Sequence, residues 1–241
     1  TYSAVFGDSH LVAQTADAEY TFVAGQTNTV VGSHNTVVGK SNTISGPYNL
    51  ISGESNTLAT VDHSIVAGYT NAVVGTYNAV FGANHVLVAG GMGFTSTGNT
   101  IGGTSHSVRG DHHAIFGDTN TISSSYSGNI LAGKNNAVGG YYAAVFGESN
   151  EAINSHNLVY GLNAKAYFKG QFAHTVNSGA DGARQTSQFT LWVATAGATP
   201  TEMTLDGSVS NTLSFVAGKA YFFKIHIVAN EAGAALNTAM Y

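Results

Sequence analysis

The chain has little charge. Asp, Glu, Lys and Arg make up 9% of its 241 residues, against about a quarter in ordinary soluble domains. The surface therefore has to be built from Ser, Thr, Asn and Gly. Net charge is −5 and no basic block occurs, so the electrostatic footprint of a nucleic-acid binder is missing. Cysteine is absent, which excludes disulfides and thiolate metal sites and leaves the compartment open. No apolar run reaches the roughly 18 residues of a membrane span, and no signal peptide opens the chain. The sequence starts at Thr1 without Met and is expected to be a fragment or a processed product. It has no G-x-S-x-G elbow, P-loop or H-E-x-x-H motif. Gly91-Met92-Gly93 lacks the third glycine of a dinucleotide loop.

What is plentiful is glycine, with 30 residues, and a hydrophobic fraction of 43% that argues against disorder. The glycines are in phase. Gly25, Gly32, Gly39, Gly46 and Gly53 fall seven residues apart, and so do Asn28, Asn35, Asn42, Asn49 and Asn56. Two residues, mostly Val or Ile, sit in front of each glycine. A heptad can signal a coiled coil, but one glycine per heptad costs a helix about 1 kcal/mol each time. β-Branched pairs ending at Gly fit a short strand followed by a corner. Gly takes positive φ freely and Asn is among the next most tolerant residues. Two heptads then make a coil of about 14 residues, and coils stack in parallel about 4.8 Å apart. The expected fold class is all-β: a parallel β-roll or β-solenoid over residues 1–166, with loop insertions near 90–99 and 123–128. A coil this thin buries too little to offset chain ordering at about 1–2 kcal/mol per residue. Stacking of neighbours and bundling of several chains are both expected. From Gly25 to Gly161 the repeats give about ten coils and a rod on the order of 50 Å.

From about Tyr167 the spacing becomes irregular. Ser187–Thr195 and Ala220–Ala229 read as longer strands, with turns at Thr199-Pro200 and Asp206-Gly207. Residues 167–241 are expected to form a small antiparallel β domain, incomplete at Tyr241.

The ten histidines are the candidates for metal or catalytic chemistry. His10, His63, His85, His106 and His113 lie three residues after a corner Gly, or after Thr60 in its place for His63, which is the Asn slot. His34, His112 and His156 fall one position earlier, and only His174 and His226 lie outside the repeat. This phase favours His as a stand-in for Asn in a corner ladder, with axial stacking around an ion as the alternative. Asp8, Glu54, Asp111, Asp118 and Glu148 directly follow a corner Gly, as do Lys40 and Lys134, and read as solvated turn positions. Stacked corners could bring Asp111 and Asp118 together, but a glycosidase needs two carboxylates about 5–9 Å apart across a cleft, and no aromatic sugar platform is evident beside them. Arg109-Gly110-Asp111 spells an integrin-type tripeptide whose Gly is the corner Gly, so it is read as coincidence. Val5-Phe6, Val80-Phe81, Ile115-Phe116 and Val145-Phe146 repeat an aromatic in one slot, either filling a wider coil or packing between chains. No catalytic, cofactor-binding or metal-ligating residue is expected, and no cofactor.

The repeat N-x-φ-φ-G-x-x, where φ is an apolar residue, with longer variants such as His63-Ser64-Ile65-Val66-Ala67-Gly68, resembles the head repeat of trimeric autotransporter adhesins, the YadA-like left-handed parallel β-roll. That resemblance covers most of residues 22–164 and implies a homotrimer. Thr199-Pro200-Thr201-Glu202-Met203-Thr204-Leu205-Asp206-Gly207 and the strand Tyr221–Ala229 resemble a β domain common at the C-terminal end of phage tail proteins. Together they imply a non-enzymatic structural component of a bacteriophage tail fibre or spike, located in the virion and extracellular. It would attach to a host-surface glycan or protein and to other tail proteins, with no nucleic acid and no membrane insertion. The insertions at 90–99 and 123–128 are the expected contact loops. A bacterial trimeric surface adhesin head and a glycan-cleaving tailspike are the alternatives.

Overall fold

In the computed structural model each heptad becomes one strand and one corner. The structure describes residues 3–13, 20–88, 96–123, 125–176, 185–191, 203–204, 224, 228–230 and 238–240. Strands alternate between two sheets as the chain advances. The first sheet runs Ala4–Asp8, Phe22–Gln26, Thr36–Lys40, Leu50–Glu54, Ile65–Tyr69 and onward to Phe172–Val176. The second takes the strands between them, from Leu11–Ala13 to Lys165–Ala166. These ladders are parallel, and Phe22 pairs with Thr36 and Thr36 with Leu50, which fixes a 14-residue coil. The fold is an all-β parallel β-roll.

Most strands of the stack send one apolar side chain inward. Val23, Val37, Ile51, Val66 and Val80 line the first sheet, and Val30, Ile44, Leu58, Val73 and Leu87 line the second; all are 0–1% exposed. The core is thus two facing rows wide, and it continues through Ile101, Ile115, Leu131 and Val145. No space remains for a wider filling. Phe6, Phe81, Phe116 and Phe146 accordingly point outward, 39–61% exposed, and do not fill the coil.

The corners explain the glycines. Gly39 has φ of 127°, and a Cβ there would lie 1.9 Å from the carbonyl oxygen of Gly53 in the next coil. Both the backbone sign and the close approach exclude a side chain. The Asn two-thirds of the way round the corner behaves differently from expectation. Positive φ belongs to the residue before it: Thr27, His34, Ser41, Tyr48 and Ser55 lie at 55–58°. The Asn itself is buried.

One register shift marks the Leu58–Gly75 region. Gly75 pairs with Val61 rather than with Thr60, and Thr60 is an extra residue at φ of 52°. Val61 therefore stands where a corner Gly would be. His63 (φ 50°) then takes the positive-φ slot and Ser64 takes the buried one. The expected place of His63 in the Asn slot is corrected accordingly.

Around the expected insertions, Ser96 and Asn99 are buried in the stack and Gly98 holds a positive-φ corner slot; residues 90–95 lie outside the described residues. Tyr126–Ser127 pairs in parallel with Gly110 and Asp111, and Gly128 holds the next corner slot. The parallel stack runs beyond residue 166 to Val176, where Thr186–Gln188 closes it antiparallel to Phe172–His174. A separate antiparallel pair joins Val228–Asn230 to Thr238–Met240. Most of the region expected as a second domain, with His226 and the Thr199–Gly207 motif apart from residues 203–204, lies outside the described residues.

Candidate functional site

Two corners, two outer faces and the columns along them are the surfaces that could act. At both corners the buried Asn side chains form ladders. The backbone N–H and Nδ2 of Asn56 both donate to Asn42 Oδ1 at 3.0 Å, and Asn42 Nδ2 donates to the Gly53 carbonyl at 2.9 Å. The other corner repeats this, with the Asn49 N–H donating to Asn35 Oδ1 at 2.9 Å and Asn35 Nδ2 donating to the Gly46 carbonyl at 2.9 Å. One side chain satisfies groups from two or three levels, so buried polar atoms remain paired.

Histidine replaces Asn in this ladder with the same polarity. His85 Nδ1 accepts from the His106 N–H at 3.3 Å, and His106 Nδ1 accepts from the Asn120 N–H at 3.0 Å. His113 Nδ1 accepts from the Asn129 N–H at 3.2 Å. Each ring pairs its Nε2 with the carbonyl four residues back, of Phe81, Gly102 and Arg109 respectively. This pattern assigns the neutral ring with hydrogen on Nε2. Burial first of all holds all three imidazoles below their ordinary value of 6.5. His85 and His106 stack at 4.9 Å. His10 follows the same bonding, to Asn28 N–H and Phe6 carbonyl. Among the described residues no group of three His, Asp or Glu is arranged to hold a metal ion.

Asp111 and Asp118 are not brought together. Asp111 accepts from the Thr97 N–H at one corner. Asp118 accepts from the Thr104 and Thr119 hydroxyls at the other, and these two bonds hold its carboxyl below the usual range.

The two corners differ on the outside. The positive-φ slot of one corner holds Thr27, Ser41, Ser55, Thr70 and Asn84, with Lys40 and Glu54 paired beside it at 3.7 Å. That slot of the other corner holds Tyr20, His34, Tyr48, His63 and Tyr77. Their rings follow one another with centroids 5.2, 4.6, 4.7 and 5.1 Å apart, the first pair tilted and the other three stacked. Beside three of these rings lies a shallow, open groove of about 390 Å³, lined by His34, Tyr48 and His63 together with Thr36, Leu50 and Ile65. The heptad phase placed His34 one position before the Asn slot, but the alternation of Tyr with His every 14 residues was the signal for the ladder, and it was missed.

The two outer faces differ as well. On the first sheet each strand shows two outward side chains, one large and one small at most levels: Phe22 with Ala24, Leu50 with Ser52, Ile65 with Ala67, Ala79 with Phe81, Ala114 with Phe116, Ile130 with Ala132, Ala144 with Phe146. Leu158 with Tyr160, Thr36 with Val38 and Thr100 with Gly102 break the rule. On the second sheet the outward column passes through Thr29, Thr43 and Thr57 in register, then through Ala72, Val86 and Ser107.

A stack of short parallel strands with Gly corners and internal Asn ladders defines the class as a β-roll. Residues 39–124 match the model of a family described as the grass antifreeze β-roll. The described residues of that stretch belong to the stack. No curated protein matches the chain.

Proposed function

We propose that this chain is a non-enzymatic structural component of a bacteriophage tail fibre or spike, bundled as a homotrimer and used for attachment to the host surface. The observation that carries the reading is the outer face of the first sheet. It is an apolar strip roughly 50 Å long, and strips of this size rarely stay exposed on a solitary soluble protein. In a cyclic bundle of parallel rods, the first outward column of one copy faces the second column of the next. Large residues then meet small ones at most levels, as close packing requires. A stiff, weakly charged rod carrying several identical sites suits attachment by avidity. The YadA-like head repeat and the phage-type C-terminal motif add to this reading, and the virion and its other tail proteins are part of the proposal. The test is binding of the labelled chain to a panel of bacterial strains. Saturable binding to some strains, lost with the assembly-breaking Phe81→Asp/Phe116→Asp variant, supports it. Binding to none contradicts it.

A second reading is favoured by one specific observation. Thr29, Thr43 and Thr57 stand in register on the second sheet, and the matched family is described as an antifreeze β-roll. A flat row of hydroxyls and methyls at strand spacing could order against an ice surface. Measurable thermal hysteresis that Thr43→Tyr abolishes would favour this reading over attachment.

A further inference from the structure

We infer that the groove beside the Tyr/His ladder is a binding site for a linear, uncharged glycan lying parallel to the rod. Four observations converge on it. The ladder is built at a conformational cost. Tyr20, Tyr48 and Tyr77 occupy left-handed backbone at φ of 57°, where bulky residues are genuine outliers, while His34 and His63 are of a type better tolerated there. The opposite corner meets the same backbone requirement with Ser, Thr or Asn, so the fold itself does not ask for rings. Strained residues of this kind cluster at functional surfaces.

The repeat of the ladder is the second observation. One ring recurs per coil over five coils, at 4.6–5.2 Å, and the open groove is lined by residues of three successive coils among them. Such a site suits a ligand that also repeats, rather than a compact molecule. The third observation is the chemistry of the walls. His34, Tyr48 and His63 each lie between two neighbouring rings, which leaves their ring edges, with phenol O–H and imidazole nitrogens, as the groups able to hydrogen-bond. The rest of the lining, with Thr36, Leu50 and Ile65, is largely apolar. Hydroxyls on an apolar ring skeleton match that combination. The fourth is charge. No Lys or Arg lines the groove, Asp62 contacts His63 at its rim at 2.7 Å, and the chain carries net −5, which disfavours polyanions. A peptide strand has no free edge to join there, because the corner N–H groups of Tyr48 and Tyr77 already donate to the carbonyls of Ser33 and Asp62.

The inference deepens the attachment reading and rests on it for its biological sense. Leu50 and Ile65 belong both to this surface and to the first outward column that meets the next copy, so in the bundle the site runs along the edge of the contact between copies, with the ring edges as its exposed side. The test uses the full chain on immobilised dextran, xylan, galactomannan and β-glucan, with heparin and polyglutamate as anionic controls. The variant is Tyr48→Ser/His63→Ser, which places at this corner the residue that Ser41 and Ser55 already hold in the same backbone geometry. The expected result is retention on at least one neutral polymer, weakened about tenfold or more in the variant, the scale of lost ring contacts, with circular dichroism and solution mass unchanged. Retention on none of the neutral polymers, retention only on the anionic ones, or equal retention by the variant overturns the site. Loss of assembly in the variant also overturns it, since the ladder would then be a contact between copies. A monomeric wild type that still shows ladder-dependent retention would sink the bundle and leave the groove standing.

Discussion

The two corners of one coil share a backbone and differ in everything that projects from it. Each has a Gly at positive φ, a left-handed residue and a buried Asn or its substitute. Outside, one corner carries Thr27, Ser41 and Ser55, and the other carries Tyr20, His34, Tyr48 and His63. The shared part is dictated by the passage of one coil over the next. The unshared part is free of that demand, and its aromatic composition needs another reason. The outer faces repeat the lesson, with large apolar residues beside small ones on one sheet and a run of three threonines on the other.

The inner equivalence can be broken most severely at glycine. Gly39→Ala and Gly46→Ala lie at opposite corners, and in each a Cβ would sit 1.9 Å from a carbonyl oxygen of the next coil. Both substitutions are expected to cost at least about 3 kcal/mol, above the cost of the strained φ alone, and by similar amounts. Denaturant unfolding measures this, and a loss at one corner only would show that the corners are not equivalent inside.

Next come the ladders. Asn42→Ala and Asn49→Ala each leave a neighbouring N–H and a carbonyl without their partner. A loss of about 1–3 kcal/mol is expected for either. An unchanged stability would show that the ladder is incidental to the stack.

Acid should separate coils with His in the ladder from those with Asn. His85, His106 and His113 are held below 6.5 in the fold. The unfolded chain therefore binds more protons below that value, and the stability these rings contribute is complete above it and lost as pH falls through the lower folded values. Protonation also removes the Nδ1 acceptor that the next coil uses. Hydrogen exchange followed from neutral to acid pH is expected to lose protection first around residues 85–129, with residues 22–58 holding longer. His106→Asn should shift the loss to lower pH. Uniform loss along the rod would argue against these rings as the weak point.

The smallest effect sharpens the outer difference. Tyr48→Gly removes two ring stacks worth about 0.5–1.5 kcal/mol each and relieves left-handed strain of roughly 1–2 kcal/mol. The unfolding free energy, followed by thermal unfolding, should lie between a gain of about 1 kcal/mol and a loss of about 2 kcal/mol. A large loss would make the ladder a structural element rather than a surface.

Much of the stack was legible in the sequence, because seven-residue spacing of Gly and a β-branched pair leaves few alternatives to a strand and a corner. The inward row of Val23, Val37 and Ile51 follows from that phase. Three things were not legible. Which of the two corner residues adopts positive φ depends on hydrogen bonds between coils, and those assign it to the residue before Asn. The direction of Phe6 and its counterparts depends on coil width, which composition does not give. The phase at His63 turns on one extra residue, Thr60, whose absorption as a bulge leaves Val61 in the glycine position. The Tyr/His ladder spans two heptads and is invisible to a reading made one heptad at a time.

The outer face of the first sheet remains the feature on which the attachment reading depends. Light scattering on the purified chain measures its solution mass directly. A mass near three times 24.8 kDa, falling to a single copy in Phe81→Asp/Phe116→Asp, is the expected result. A well-folded wild-type chain at 24.8 kDa would contradict it.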